Sequence, residues 1–286
     1  MKPARFFRRG IPPTGAVLVL GFLGIVFPVF ANMEEASRIS LSERSLVLEQ
    51  NEEGMNLWKP LDRLRVYDPG KVALLICDMW DKHWSHGATV RVAEMAPKLN
   101  QLASRLREAG VLIIHSPSDT MDFYADSPAR KRALDVRRVS AQVLRTIQLP
   151  PLPIDDSDGG SDTNEKPWYK AWTRQHPAIV IDEERDIISA DGEEIYSYLH
   201  KHEIRTVFYT GVHTNMCVLK SRSFSLKPMA EMGIRVRLVR DLTDTMYNPA
   251  RAPYVSHDEG TRLVIRYIEK FLCPTVSSAD FFEDEE

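Results

Sequence analysis

The chain has 286 residues, 43% of them hydrophobic and 27% charged, with a formal net charge of −3. This composition suits one globular α/β domain with appendages and excludes a disordered polyelectrolyte; it also lacks the basic excess that would hold nucleic acid. Three cysteines, Cys77, Cys217 and Cys273, leave at least one thiol unpaired.

At the N-terminus, Lys2, Arg5, Arg8 and Arg9 precede an uncharged apolar run, Gly15 to Phe30, that closes on Val29-Phe30-Ala31. This charged, apolar and small-residue order predicts a signal peptide over residues 1–31, cut after Ala31. The run is nearly long enough to stay uncleaved as a membrane anchor, and Arg8-Arg9 also permits twin-arginine export. Each reading puts the working domain outside the cytoplasm, secreted or periplasmic, touching a membrane only if the segment is retained.

Residues 32–70 are polar and mixed, with short alternating pieces such as Ser45 to Leu48, and predict an N-terminal arm with a hairpin or edge strands. Val72 to Cys77 is a continuous apolar run, the pattern of a strand covered on both faces, and it ends on Asp78. An aromatic and polar loop, Met79 to Gly87, follows. A helix is expected to start near Pro97, with Leu99, Leu102, Ala103 and Leu106 on one face and Gly110 as its stop. Val111 to Ile114 reads as a second buried strand.

A long insertion, about residues 116–177, interrupts the alternation. It carries an expected helix from Arg130 to Leu144, a proline-rich turn at Leu149 to Pro153 and an acidic, glycine-rich stretch from Asp155 to Asp162. Loops this long in a domain serve as lids or binding segments. The acidic stretch lacks the full ligand register of a calcium loop and reads as a solvated turn.

Alternation then resumes, with a strand at Ala178 to Ile181, a helix at Gly192 to His202, a strand at Thr206 to Val212, a helix from about Asn215 and a strand at Val236 to Val239. The last helix opens on the capping pair Ser256 and Glu259 and carries Val264, Ile265, Ile268, Phe271 and Leu272 on one stripe. Residues 276–286 form an acidic tail. Alternating elements with near-continuous apolar strands predict a three-layer α/β/α domain over residues 71–275, built on a mostly parallel central sheet.

In such sheets ligands bind beyond the carboxyl ends of the strands, where the strand order reverses. If the strand ending at Cys77 and the strand ending at Val212 are neighbours there, Asp78 and Cys217 face one crevice. Cys217 sits at a strand-to-helix junction, where unpaired N–H groups and the helix dipole favour a thiolate and could hold an oxyanion. A lone cysteine is more often an inert small hydrophobe, so its neighbours decide. Cys77 and Cys273 read as packing residues.

An Asp closing the first buried strand, followed far along the chain by Gly211-Val212-His213-Thr214-Asn215-Met216-Cys217-Val218, resembles the isochorismatase-like cysteine hydrolases, a group that includes nicotinamidases and N-carbamoyl amidohydrolases. The likeness covers roughly residues 70 to 272. It implies the same three-layer fold, a small-molecule substrate, a homo-oligomer and no cofactor. It implies a base at Asp78, a nucleophile at Cys217, an oxyanion hole from the N–H groups of His213 and Cys217, and a cis peptide between Val212 and His213. Members that cleave only the vinyl ether of isochorismate lack the cysteine, so its presence favours C–N bond hydrolysis.

Where the family carries a catalytic lysine, this chain aligns Glu184, which inverts the local charge. Three readings stand: Lys82, Lys166 or Lys170 enters from a loop; Glu184 is a second acid/base in the catalytic set; or the site binds without turnover. The Asp-x-His metal pattern of nicotinamidases is also missing. Asp81, His83, His86, His115 and Asp119 are the residues from which a metal-dependent hydrolase would have to build its site, but no ligand spacing supports one and no metal is assigned. Trp80, His83, His115, Asn215 and Tyr247 are the substrate-contacting candidates, while Trp84, Phe123, Trp168, Tyr169 and Trp172 read mainly as packing for the insertion.

Overall fold

A computed structural model describes residues 38–166 and 169–282, which belong to one unit spanning Ala36–Glu286. The expected signal peptide and Trp168 lie outside the described residues. Among the described residues no helix is long and apolar enough to cross a membrane.

The polar arm folds as a hairpin of two 12-residue strands, β1 (Ile39–Gln50) and β2 (Asn56–Tyr67), paired antiparallel from Ile39↔Tyr67 to Gln50↔Asn56. Next come β3 (Val72–Cys77), α1 (His86–Glu108), β4 (Leu112–Ser116) and α2 (Pro128–Leu134). After the insertion follow β5 (Ile187–Ile188), α3 (Gly192–Lys201), β6 (Thr206–Val212), α4 (Leu226–Glu231), β7 (Arg235–Asp244), α5 (His257–Phe271) and β8 (Thr275–Val276). They build one eight-stranded sheet in the order β2-β1-β8-β7-β6-β3-β4-β5. From β8 to β5 all pairings are parallel, and the hairpin adds an antiparallel edge through β1 and β8.

Both faces of this sheet are covered, which is why its central strands are apolar without alternation. Leu74, Ile76, Phe208 and Val212 pack under α1 with Leu99, Leu102 and Leu106. Ala73, Leu75, Val207 and Tyr209 face the other way, onto Ile195 and Leu199 of α3, Leu226 and Met229 of α4 and Val264 and Ile268 of α5. The result is the three-layer α/β/α arrangement expected from the sequence.

Several local expectations are corrected. Helix α1 starts at His86, capped by the Ser85 side chain, and runs through Pro97 rather than beginning there. Proline inside a helix removes one ladder bond, yet buried Val92 and Ala96 extend the apolar stripe a full turn before it. The helix expected over Arg130 to Leu144 stops at Leu134. Beyond it the backbone finds partners on other elements: the Val139 N–H donates to Ser197 Oγ and the Leu144 N–H to the Glu231 carbonyl. Ala178 to Ile181 is not a strand, because the Val180 N–H is taken by the Asn100 side chain and its carbonyl accepts from Arg107. The edge strand is instead β5, two residues paired with β4. The terminal stretch is less tail-like than its charge suggests, since Val276 joins the sheet and Phe281 is buried edge-on against Phe208.

The reversal of strand order falls between β3 and β6, which pair in parallel with Cys77 opposite Gly211. Gly211 has φ 97°, and a Cβ there would lie 2.0 Å from the Cys77 carbonyl oxygen. Only glycine fits this close approach. It brings the ends of the two central strands together.

Candidate active site

Asp78 leaves β3 in a left-handed conformation, φ 46°, and is fully buried. Its Oδ1 accepts from the Ser118 N–H at 2.7 Å and its Oδ2 from Arg222 Nε at 3.1 Å. The Val212–His213 peptide is cis, as the resemblance implies. From it the chain enters a π-helical segment, Thr214–Ser221, in which the Val218 N–H donates to the His213 carbonyl five residues back. Cys217 lies in that segment, half-buried, hydrogen-bonded to Asp78 and receiving the His213 N–H at its sulfur. Asp78 and Cys217 thus share one crevice at the strand reversal.

Among the described residues the cation paired with Asp78 is Arg222, and not Lys82, Lys166 or Lys170. It spans from Asp78 to the carboxylate of Asp119, at 3.1 and 3.2 Å, and its guanidinium lies 5.9 Å from the centre of the Trp80 ring. Five residues separate it from Cys217, about one turn of a π-helix, so the Cys-to-Arg spacing was the available signal. Glu184 is placed elsewhere: it is exposed on the turn before β5, its N–H donating to Asp182. Lys82 and Lys166 are exposed, and Lys170 donates to the Asp119 carbonyl.

Burial pushes the Cys217 thiol up to about 12, and the Asp78 carboxylate adds to the rise while Arg222 opposes it. The depressed thiol expected from helix position alone is therefore corrected, because loss of solvation outweighs the backbone dipoles. Asp78 is likewise raised by burial, with Arg222 and the Ser118 N–H holding it down. Burial disfavours the charge on Arg222, but Asp78, Cys217 and Asp119 outweigh it and raise the guanidinium above its ordinary value. At rest the thiol is neutral and the guanidinium charged, with Arg222 favouring the carboxylate form of Asp78 against its burial.

An aromatic wall adjoins the sulfur. Trp80, Trp84, Trp172 and Met246 form a buried cluster against which Met216 and Cys217 pack. Trp80 and Trp172 stack at 4.2 Å, and Trp80 Nε1 donates to the Ser118 carbonyl. His83 lies parallel to Trp172 at 5.6 Å and meets the His213 ring edge-on at 4.9 Å. Its Nδ1 accepts the Ser85 N–H, which assigns the ring proton to Nε2. Burial lowers His83 to about 4 and His213 well below its usual range, so both rings are neutral at pH 7. Asp81 holds this wall in place by accepting from the Thr173 backbone and hydroxyl.

The other substrate-contacting candidates are engaged elsewhere. His115 is fully buried between Gln175 and Asp186, at 3.0 Å from each, on the α1 side of the sheet. Asn215 is a brace: its amide donates to Asp156 and to the Met246 carbonyl and accepts the Met246 N–H. Tyr247 is buried in the opposite layer, its hydroxyl donating to the Arg251 carbonyl. Among the described residues, no group of three or more His, Cys, Asp or Glu is arranged to hold a metal ion. Cys77, Cys217 and Cys273 are all free thiols.

A family model, Isochorismatase domain, matches residues 72–254. The chain belongs to the isochorismatase family. This places it among the hydrolases. Solved structures to which the chain is similar include a cysteine hydrolase from Pseudomonas syringae pv. phaseolicola 1448A, 15% identical over 75% of this chain and 92% of that one, with a TM-score of 0.47. An isochorismatase from Pseudomonas putida KT2440 is 13% identical over 74% and 91% of the two chains, with a TM-score of 0.45. An isochorismatase family protein from Burkholderia thailandensis is 15% identical over 74% and 93%, with a TM-score of 0.41. No curated protein sequence matches the chain.

Proposed function

We propose that this isochorismatase-family chain hydrolyses the C–N bond of a small amide or carbamoyl compound through Cys217. The observation that carries the reading is the pairing of the Cys217 thiol with the Asp78 carboxylate in the strand-reversal crevice, with the His213 N–H directed at the sulfur. The thiol is protonated at rest, so Asp78 removes its proton as sulfur attacks the carbonyl carbon. The N–H groups of His213 and Cys217 stabilise the oxyanion. Asp78 returns the proton to the leaving nitrogen, a thioester remains on Cys217, and water activated by Asp78 releases the acid. Trp80 and Trp172 give a planar substrate a flat wall, and the Nε2–H of His83 supplies a neutral donor.

The test is intact-mass spectrometry of protein mixed with a panel of small amides and carbamoyl compounds. A transient acyl adduct on the wild type that is absent from Cys217→Ala, together with ammonia or amine release insensitive to chelator, is the expected result. A chain that binds panel members without adduct or release is a binding protein, and chelator-sensitive release that survives Cys217→Ser belongs to a metal-dependent hydrolase. A secreted or periplasmic location and a homo-oligomeric state are parts of the same proposal, read out by N-terminal sequencing of the mature protein and by its mass in solution.

In this scheme Arg222 takes the place of the family lysine. Removing its charge raises Asp78 further, because the guanidinium favours the carboxylate form. Arg222→Gln therefore moves the acid limb of the kcat/KM profile to higher pH and lowers kcat/KM by about 10²–10³ at neutral pH, in line with loss of one preorganised charged donor. Arg222→Lys keeps the limb near its wild-type position. An unmoved limb in Arg222→Gln would exclude the role.

A further inference from the structure

An open cleft of about 490 Å³, whose lining shares no residue with the Asp78–Cys217 site, lies between the β1–β2 hairpin, β7 and α5. Four arginines line it, Arg44, Arg240, Arg262 and Arg266, against two lining acids, Asp241 and Glu269, and a third, Glu259, on Arg262, which leaves a surplus of one positive charge. The spacing is written into the elements: Arg262, Ile265, Arg266 and Glu269 form one helical stripe on α5, and Arg44 and Leu46 share one face of β1.

Neither lining acid is available to neutralise the surplus. Glu269 is held by Arg44 at 2.8 Å and by Thr275 at 2.7 Å, while Asp241 accepts from the Ser278 N–H and hydroxyl. Arg262 is tied to Glu259 at 2.7 Å. The Arg266 side chain makes no ion pair or hydrogen bond among the described residues. Nη1 of Arg240 is shielded from solvent without a hydrogen-bond partner, and a buried donor left unpaired costs about 1–3 kcal/mol. Beside these two guanidinium groups stand the apolar walls of Leu46, Pro60 and Ile265.

We propose that this cleft is a second ligand site, distinct from the hydrolytic crevice, that binds a soluble phosphomonoester with a small apolar body. Guanidinium groups present planar forks that match phosphate oxygens. A dianion pairs with Arg240 and Arg266, the two lining guanidinium groups without an ion pair among the described residues, and the apolar body lies on Leu46 and Ile265. The volume is within the range of small-molecule sites.

Titration calorimetry on the full chain with phenyl phosphate tests this, with phenol as the neutral control. Saturable binding of one phenyl phosphate per chain and none of phenol is expected, weakened about tenfold or more, or about 1.4 kcal/mol, in Arg240→Gln/Arg266→Gln. Cys217→Ala binds as the wild type does. Should the double variant fail to fold, Arg266→Gln alone, on the exposed helix face, carries the comparison. The proposal is overturned by absence of saturable binding, by equal binding to the arginine variants, by loss of binding in Cys217→Ala, or by capture only of vesicles carrying phosphatidic acid. Phenyl phosphate is not an amide, so none of these outcomes depends on the hydrolase reading.

Discussion

Asp78→Asn is expected to move two readouts of the same thiol in opposite directions. Hydrolysis, followed as kcat/KM on any substrate the amide panel identifies, falls by about 10²–10⁴, the span that a positioned general base contributes. Labelling of Cys217 by iodoacetamide instead shifts to lower pH. The reason lies in the signs of the neighbours: the Asp78 carboxylate raises the thiol and Arg222 lowers it. Asparagine removes the anion and leaves the guanidinium, so thiolate forms more readily, yet nothing remains to take the proton in step with attack or to return it to the leaving nitrogen. A merely structural Asp78 would impair both readouts together through misfolding, and a spectator would change neither. Should hydrolysis persist at the wild-type rate, Asp78 is not the base.

Asp78 and Cys217 were legible in the sequence because each ends an apolar strand or follows one directly, and a parallel sheet converts adjacency of strand ends into adjacency of side chains. The pairing of β3 with β6 supplies that adjacency. Arg222 was not legible because the family spacing falls on Glu184, whereas this chain draws its cation from the turn after Cys217. The thiol's direction of shift was not legible either, since helix position is visible in a sequence and desolvation by aromatic residues distant in the chain is not. His115, Asn215 and Tyr247 are polar residues near strand ends, so sequence alone could not separate a rim position from a buried brace; their partners, Asp186, Asp156 and the Arg251 carbonyl, lie 71, 59 and 4 positions away. The insertion is irregular for a related reason. Its backbone groups are satisfied by side chains and loops of other elements, such as the Asp155 N–H on the Ala252 carbonyl, and no local periodicity reports such bonds.

Arg107→Met is expected to cost about 3–5 kcal/mol of stability at pH 7, the penalty of leaving one partner of a buried ion pair alone. Arg107 on α1 grips Asp186 with Nε at 2.9 Å and Nη2 at 2.7 Å, and both side chains are almost wholly buried. The same carboxylate meets His115 and accepts the Asp182 N–H, so it joins α1, β4 and the turn before β5. Burial works against the Asp186 charge, but the bonds from His115 and Arg107 outweigh it and hold the carboxyl at about 2. Its folded value is thus below the ordinary aspartate value of about 3.9, and the stability it adds is present above that value and lost as pH falls toward 2. Chemical denaturation across that window checks the sign: the deficit of Arg107→Met relative to wild type narrows as pH falls from about 4 to about 2. Replacing both partners, in Arg107→Met/Asp186→Asn, recovers part of the loss because no buried charge is stranded. A deficit independent of pH, with no recovery in the double variant, would mean that Arg107 contributes through its packing alone, and that the sheet edge beneath the crevice is not held by this ion pair.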